Sequence, residues 1–230
     1  AGSLIVDDIE DGAKERRGKP ALHQLYGIDI ALNAGNWLYF LPGAIVPRLN
    51  LDHLSELALH RRINETLFKA HAGQALDLGG RPNGLKQFEI PAYVATMTRL
   101  KTGELFAFAA ASAAIVSGAP RSHERALLRF GRELGVALQM LDDLSTVTNP
   151  DRHEKAAEDF SNGRVTWLWA WAANALGGVA FQNMVNASEA AADVPSLCAA
   201  FRDACADLGR QHVREQVVRA WDALPRTLSD

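Results

Sequence analysis

The sequence predicts an all-α protein. Apolar residues recur at three- and four-residue spacing along most of the chain, no stretch of useful length alternates apolar with polar residues, and nine prolines fall where helices would stop. At 230 residues and 48% hydrophobic, the chain is long enough for one sizeable core. It has no internal repeat and no low-complexity linker, so a single domain over residues 1–230 is expected.

Taken in order, Asp7-Asp8-Ile9-Glu10-Asp11 reads as the end of a helix that opens directly at Ala1-Gly2-Ser3. Leu54, Leu57, Leu67 and Ala70 mark a second helical face, and Gly79-Gly80-Arg81-Pro82-Asn83-Gly84 is the clearest loop. Leu105 to Val116 is the longest apolar run; it is too short to span a bilayer and reads as a buried core helix. Gly118-Ala119-Pro120 should stop it, and Ser122 should cap the next helix. That helix carries Leu127, Leu128, Leu134 and Leu138 and is expected to be mostly buried from Phe130 to Leu144. Pro20, Pro42, Pro47, Pro82, Pro91, Pro120, Pro150, Pro195 and Pro225 all read as helix ends. Trp167, Trp169 and Trp171 read as helix packing in preference to a cage for a cation.

Composition excludes some partners. A net charge of −3 gives no footprint for nucleic acid or an anionic membrane. No transmembrane segment and no signal peptide is read. Cys198 and Cys205 would lie roughly 10 Å apart on one helix, too far to bridge, and read as reduced thiols of a cytoplasmic protein.

The chemistry is concentrated in two acidic elements. On a helix Asp7 and Asp11 share a face one turn apart, and Asp8 is turned about 100° away. Carboxylates at that spacing suit a hard cation such as Mg²⁺, which also takes phosphate oxygens. Arg16-Arg17-Gly18 follows, and each guanidinium offers a planar fork of donors to phosphate. The second element, Gln139-Met140-Leu141-Asp142-Asp143, ends an apolar segment. Two adjacent carboxylates there are costly without a partner, and a bound cation is the simplest one. Lys101-Thr102-Gly103 stands between the two elements; Lys155, Asp159 and Arg164 follow the second.

These stretches resemble the trans-prenyl (polyprenyl) diphosphate synthases, and most closely the geranylgeranyl diphosphate synthases. The resemblance covers roughly residues 1–175. It also draws on Lys19-Pro20 with His23, on Asn33-Ala34-Gly35-Asn36-Trp37-Leu38-Tyr39-Phe40, on His71-Ala72-Gly73-Gln74-Ala75-Leu76-Asp77-Leu78, and on Lys155-Ala156-Ala157-Glu158-Asp159. It implies an isoprenoid-synthase-type helical bundle with a central cavity. It also implies helices preceding Ala1, which in the family carry part of the isopentenyl diphosphate site.

The implied activity joins an allylic diphosphate to isopentenyl diphosphate. Asp7, Asp11 and Asp142 would ligate Mg²⁺, with three ions expected and Mn²⁺ able to substitute. Arg16, Lys101 and Lys155 would contact the allylic diphosphate, and Arg17 that of isopentenyl diphosphate. Lys101, Thr102 and Gln139 would serve the chemical step, the last two by turning neutral dipoles to the allylic cation. Chain length would be set by the small Gly2 and Ser3 and by a deeper floor of Tyr39, Phe40 and His71, giving a twenty-carbon product. A homodimer is expected. Where the family's second motif ends in Asp, this chain has Thr146, and Ala72 stands where Arg is frequent. Two alternatives stay open: a terpene cyclase on the same scaffold, and a non-catalytic regulatory subunit.

Overall fold

The computed structural model describes residues 1–190 and 193–225. Contacts divide the chain into two compact units, residues 1–67 and residues 68 onward.

The first unit opens with α1 (Gly2–Glu10), followed by a short hairpin of β1 (Glu15–Arg16) and β2 (Lys19–Pro20), then α2 (Leu22–Tyr26), α3 (Ile28–Ile45) and the start of α4 (His53–Gly79). α1 packs on α3. Glycines let the two backbones close: a Cβ at Gly2 would lie 2.6 Å from the Gly35 carbonyl oxygen, and one at Gly35 would lie 2.9 Å from Val6 Cγ2. The hairpin is absent from the sequence expectation because each strand is only two residues long. Its turn makes it: Arg17 and Gly18 both take positive φ, 56° and 73°, which matches the twist of a two-residue hairpin. Pro42 departs from its expected role as a helix end. It lies inside α3, whose regular turns persist to Ile45 before a 3₁₀ turn at Val46–Leu49.

The second unit holds α5 (Ile90–Thr98), a π-turn at Arg99–Gly103, α6 (Glu104–Val116), α7 (Arg121–Thr148), α8 (His153–Ser161), α9 (Trp167–Ala175), α10 (Gly178–Glu189) and α11 (Val194–Asp222). α7 is the central element and packs against α6, α11 and the π-turn. Its buried stripe, Val136, Met140, Leu144 and Val147, has the spacing of one helical face. α7 begins at Arg121, with Pro120 before it, so Ser122 is not the cap. α6 is buried on one side only. Ala107, Ala111, Ala114 and Ile115 face inward, whereas Leu105, Phe106 and Val116 are exposed.

The first six residues of α9, Trp167 to Ala172, are all buried, so Trp at every second position is tolerated there. Trp169 meets Phe181 and Phe201 edge to face, and Trp167 lies 5.9 Å from Trp171. The Trp cluster is packing. Cys198 and Cys205 are free, buried thiols on α11. Burial pushes the Cys205 thiol up to about 12 and raises that of Cys198 as well. Because the thiolate is the nucleophile, neither cysteine should react with a disulfide reagent at pH 8 in the native protein, and both should react in denaturant. Rapid labelling of the native protein would contradict the packing of α11.

Among the described residues, no helix is long and apolar enough to cross a membrane.

Candidate active site

In the first unit, the last turn of α1 carries Asp7 and Asp8, and Asp11 closes the helix by donating its N–H to the Asp7 carbonyl at 2.8 Å. Asp8 is buried at 4% exposure. The hairpin returns Arg16 to it: Arg16 Nε donates to Asp8 Oδ1 at 2.7 Å and Nη2 joins the same oxygen. The same Nη2 lies 3.5 Å from Asp7 Oδ2. Arg16 is thus held at the acidic element, while Arg17 occupies the exposed turn in a left-handed conformation. This divides the two neighbouring guanidiniums more sharply than a helix would.

Tyr39 on α3 is half-buried. Its hydroxyl pKa is raised by that burial and by the negative charges of Glu10 and Asp7. Ser3 lies four residues before Asp7 on α1 and is partly buried. Gly2 has a local reason to be glycine in its approach to α3. Phe40 is 76% exposed.

In the second unit, Asp142 and Asp143 sit near the end of α7 and part company. Asp142 is half-exposed and takes a hydrogen bond from Arg152 Nη1 at 2.7 Å. Asp143 belongs to the buried stripe. Its Oδ2 accepts from the Trp167 backbone N–H at 2.8 Å and its Oδ1 from Gln139 Nε2 at 2.8 Å. Trp167 opens α9, so the carboxylate satisfies one of the donors that a helix leaves unpaired at its start. Burial still pushes the Asp143 carboxyl up to about 7, against the lowering effect of those two donors. Two hydrogen bonds partner this buried carboxylate. Thr146, at the departure from the family's second motif, is 2% exposed, and its hydroxyl donates to the Asp143 carbonyl at 2.7 Å. It is part of the helix interior.

The π-turn re-aims Lys101 and Thr102, a recurrent use of such turns at functional sites. Lys101 Nζ lies 2.7 Å from Asp77 Oδ2, and Thr102 Oγ1 donates to Gln139 Oε1 at 3.2 Å. On α8, Lys155 lies 2.9 Å from Asp159 and 3.3 Å from Glu158. Burial lowers its pKa, but these carboxylates outweigh it and hold the ammonium above its ordinary range. His71 is exposed on α4.

The sequence alone assigns no role to Asp8, Asp77, Asp143 or Arg152. The first and third could have been found, because each falls on the apolar face of its helix where an unpartnered carboxylate would not be tolerated. Asp77 and Arg152 lacked such a signal, since their partners are brought to them by the fold.

Among the described residues, no three acidic, His or Cys side chains lie close enough together to hold a metal alone. The exposed donors are hard carboxylate oxygens. This fits Mg²⁺, which is usually bound through one or two carboxylates with the remainder supplied by water and substrate phosphate.

A profile of the family described as polyprenyl synthetase matches residues 1–201. The geranylgeranyl pyrophosphate synthase of Dictyostelium discoideum is 31% identical over 175 residues, covering 75% of this chain and 54% of that protein. The geranylfarnesyl diphosphate synthase of Aeropyrum pernix is 28% identical over 230 residues, covering 97% of this chain and 71% of that protein. The chain thus spans about half the length of the first of these relatives. The crystal structure of geranylgeranyl pyrophosphate synthetase from Pyrococcus horikoshii shares the fold with a TM-score of 0.80 at 23% identity, over 96% of this chain and 68% of that one. That of a decaprenyl diphosphate synthase from Rhodobacter capsulatus does so with a TM-score of 0.82 at 19% identity, over the same shares.

Proposed function

Because the chain belongs to the polyprenyl synthetase family, we propose that it condenses an allylic diphosphate with isopentenyl diphosphate and makes geranylgeranyl diphosphate. One observation carries the reading. In both acidic pairs the second carboxylate is buried and bonded within its own unit, and the first, Asp7 or Asp142, is left nearer the solvent. The relatives and solved structures named above are all called prenyl diphosphate synthases, and the cyclase and regulatory readings gain no support from them.

Asp7, Asp11 and Asp142 would hold Mg²⁺, which when bound neutralises the diphosphate as it leaves with the electrons of the allylic C–O bond. Lys101, Lys155 and Arg16 bind and orient that diphosphate, and Arg17 binds isopentenyl diphosphate. Lys155 stays charged in a partly buried setting because carboxylates flank it, and Lys101 lies against the Asp77 carboxylate. Gln139 and Thr102 turn oxygen atoms to the allylic cation without offering it a strong nucleophile. The double bond of isopentenyl diphosphate then forms the new C–C bond, and a proton leaves to the departed diphosphate. The protein acts as a cytoplasmic homodimer in this reading, and two free buried cysteines suit a reducing compartment.

The test is incubation with farnesyl diphosphate and Mg²⁺, with and without isopentenyl diphosphate. A twenty-carbon diphosphate should form only when both substrates are present, and none in excess chelator. Cyclised hydrocarbon made without isopentenyl diphosphate, or full activity in chelator, would refute the proposal.

Product length offers a sharper check. Ser3 stands one helical turn before Asp7 on α1, so the two are close in projection. Ser3→Phe is expected to shift the main product from twenty to fifteen carbons, read by chromatography of the hydrolysed products. An unchanged product would remove Ser3 from the path of the growing chain.

A further inference from the structure

We propose that Asp143 is a positioning residue: it locks the Gln139 side-chain amide with its oxygen toward Thr102, so that an acceptor faces the allylic cation. The inference rests on the prenyl-transfer reading above and assigns a task to a residue that reading leaves unused.

The argument begins with an asymmetry of hydrogen-bonding capacity. Gln139 has two polar neighbours, Thr102 Oγ1 at 3.2 Å and Asp143 Oδ1 at 2.8 Å. A hydroxyl can donate or accept, so Thr102 would serve either end of the amide equally well. Asp143 is an acceptor at both of its oxygens, from the Gln139 amide and from the Trp167 N–H. Asp143 is therefore the partner that can tell the amide's nitrogen from its oxygen. It is itself held at both ends: α7 fixes its backbone, and the Trp167 N–H at 2.8 Å occupies its other oxygen. It is also buried, at 7% exposure. Gln139 Nε2 is committed to Asp143. Gln139 Oε1 keeps a lone pair beyond the one used by Thr102.

The orientation matters for a cation. A turned amide would put two N–H donors, which carry partial positive charge, where the oxygen now stands. A preorganised dipole aimed at developing charge stabilises it without reorganisation, and the reversed dipole opposes it. The position otherwise invites an apolar residue, since Val136, Met140, Leu144 and Val147 of the same face are core. The carboxylate there instead accepts from the Trp167 N–H and from the Gln139 amide, which it fixes.

Asp143→Asn is the discriminating variant. Its carbonyl can keep the Trp167 N–H, which leaves its NH₂ against Gln139 and forces the amide to turn. The readout is calorimetric affinity at pH 8.5 for two probes. One is an allylic diphosphate analogue with an ammonium nitrogen in place of the cationic carbon, and the other is a neutral allylic thiolodiphosphate. Asp143→Asn should weaken the ammonium probe about 10-fold and the neutral probe less than about twofold. In a Gln139→Leu background, the same substitution should have no further effect on either probe.

Equal weakening of both probes by Asp143→Asn, or an undiminished effect in the Gln139→Leu background, would overturn the inference. The functional reading fails separately: wild-type protein that shows these probe affinities yet gives no elongated product refutes elongation and leaves the role of Asp143 standing.

Discussion

Asp7→Ala and Asp142→Ala are each expected to lower turnover at least about 100-fold while leaving the melting temperature within a few degrees of wild type. The ion pairs lost are modest ones. Asp7 faces Arg16 at 3.5 Å, and Asp142 meets Arg152 with 45% of its side chain exposed. Partly exposed pairs of this kind contribute roughly 0–1 kcal/mol. Asp143, the neighbour of Asp142, should differ in stability. Asp143→Ala leaves the Trp167 N–H and the Gln139 amide without their acceptor in a buried setting, at a cost of about 1–3 kcal/mol. It should melt several degrees lower. Turnover and thermal melting of the Asp7, Asp142 and Asp143 variants, measured together, decide the matter. Near-normal turnover in either of the first two would mean that the metal assignment is wrong.

This sorting shows where the sequence was legible. Helix content followed from apolar spacing because long amphipathic helices repeat their signal many times over, as α7 does from Val136 to Val147. The acidic pairs were visible because carboxylates inside apolar segments are unusual. Which carboxylate of each pair faces inward was not resolved, since that depends on helix phase to within one residue and on partners from other elements. Asp143 is matched by a backbone N–H of α9, and a backbone donor has no signature in sequence. Local conformation was equally hidden at Pro42, which continues a helix it was expected to end, and at Arg17. A non-glycine residue with φ of 56° is uncommon, and Gly18 beside it was the available hint. Thr146 reads as a missing acid when compared with a motif and as an ordinary buried helix residue in the structure.

Gly73→Ala is expected to destabilise the protein by about 2 kcal/mol or more, the reverse of what helix propensity alone dictates. Inside a helix, replacing Gly by Ala gains about 1 kcal/mol. Gly73 lies in α4, but its Cα faces the π-turn backbone. An added Cβ would stand 2.8 Å from both the Leu100 carbonyl carbon and Lys101 Cα. Backbone atoms cannot rotate away as a side chain can, so α4 and the turn would have to separate. The turn has little room to yield. On its far side a Cβ at Gly103 would already lie 3.2 Å from Arg132, and one at Gly135 would lie 3.1 Å from Gly103 Cα. Overpacking therefore outweighs propensity. Because Lys101 and Thr102 ride on this turn, turnover should fall even at temperatures where the variant remains folded. Gly43→Ala supplies the control: it is also inside a helix, with open space where its Cβ would go, and should melt at or slightly above the wild-type temperature. A Gly73→Ala protein that melts no lower than wild type would show that α4 and the π-turn do not approach as closely as their backbones indicate.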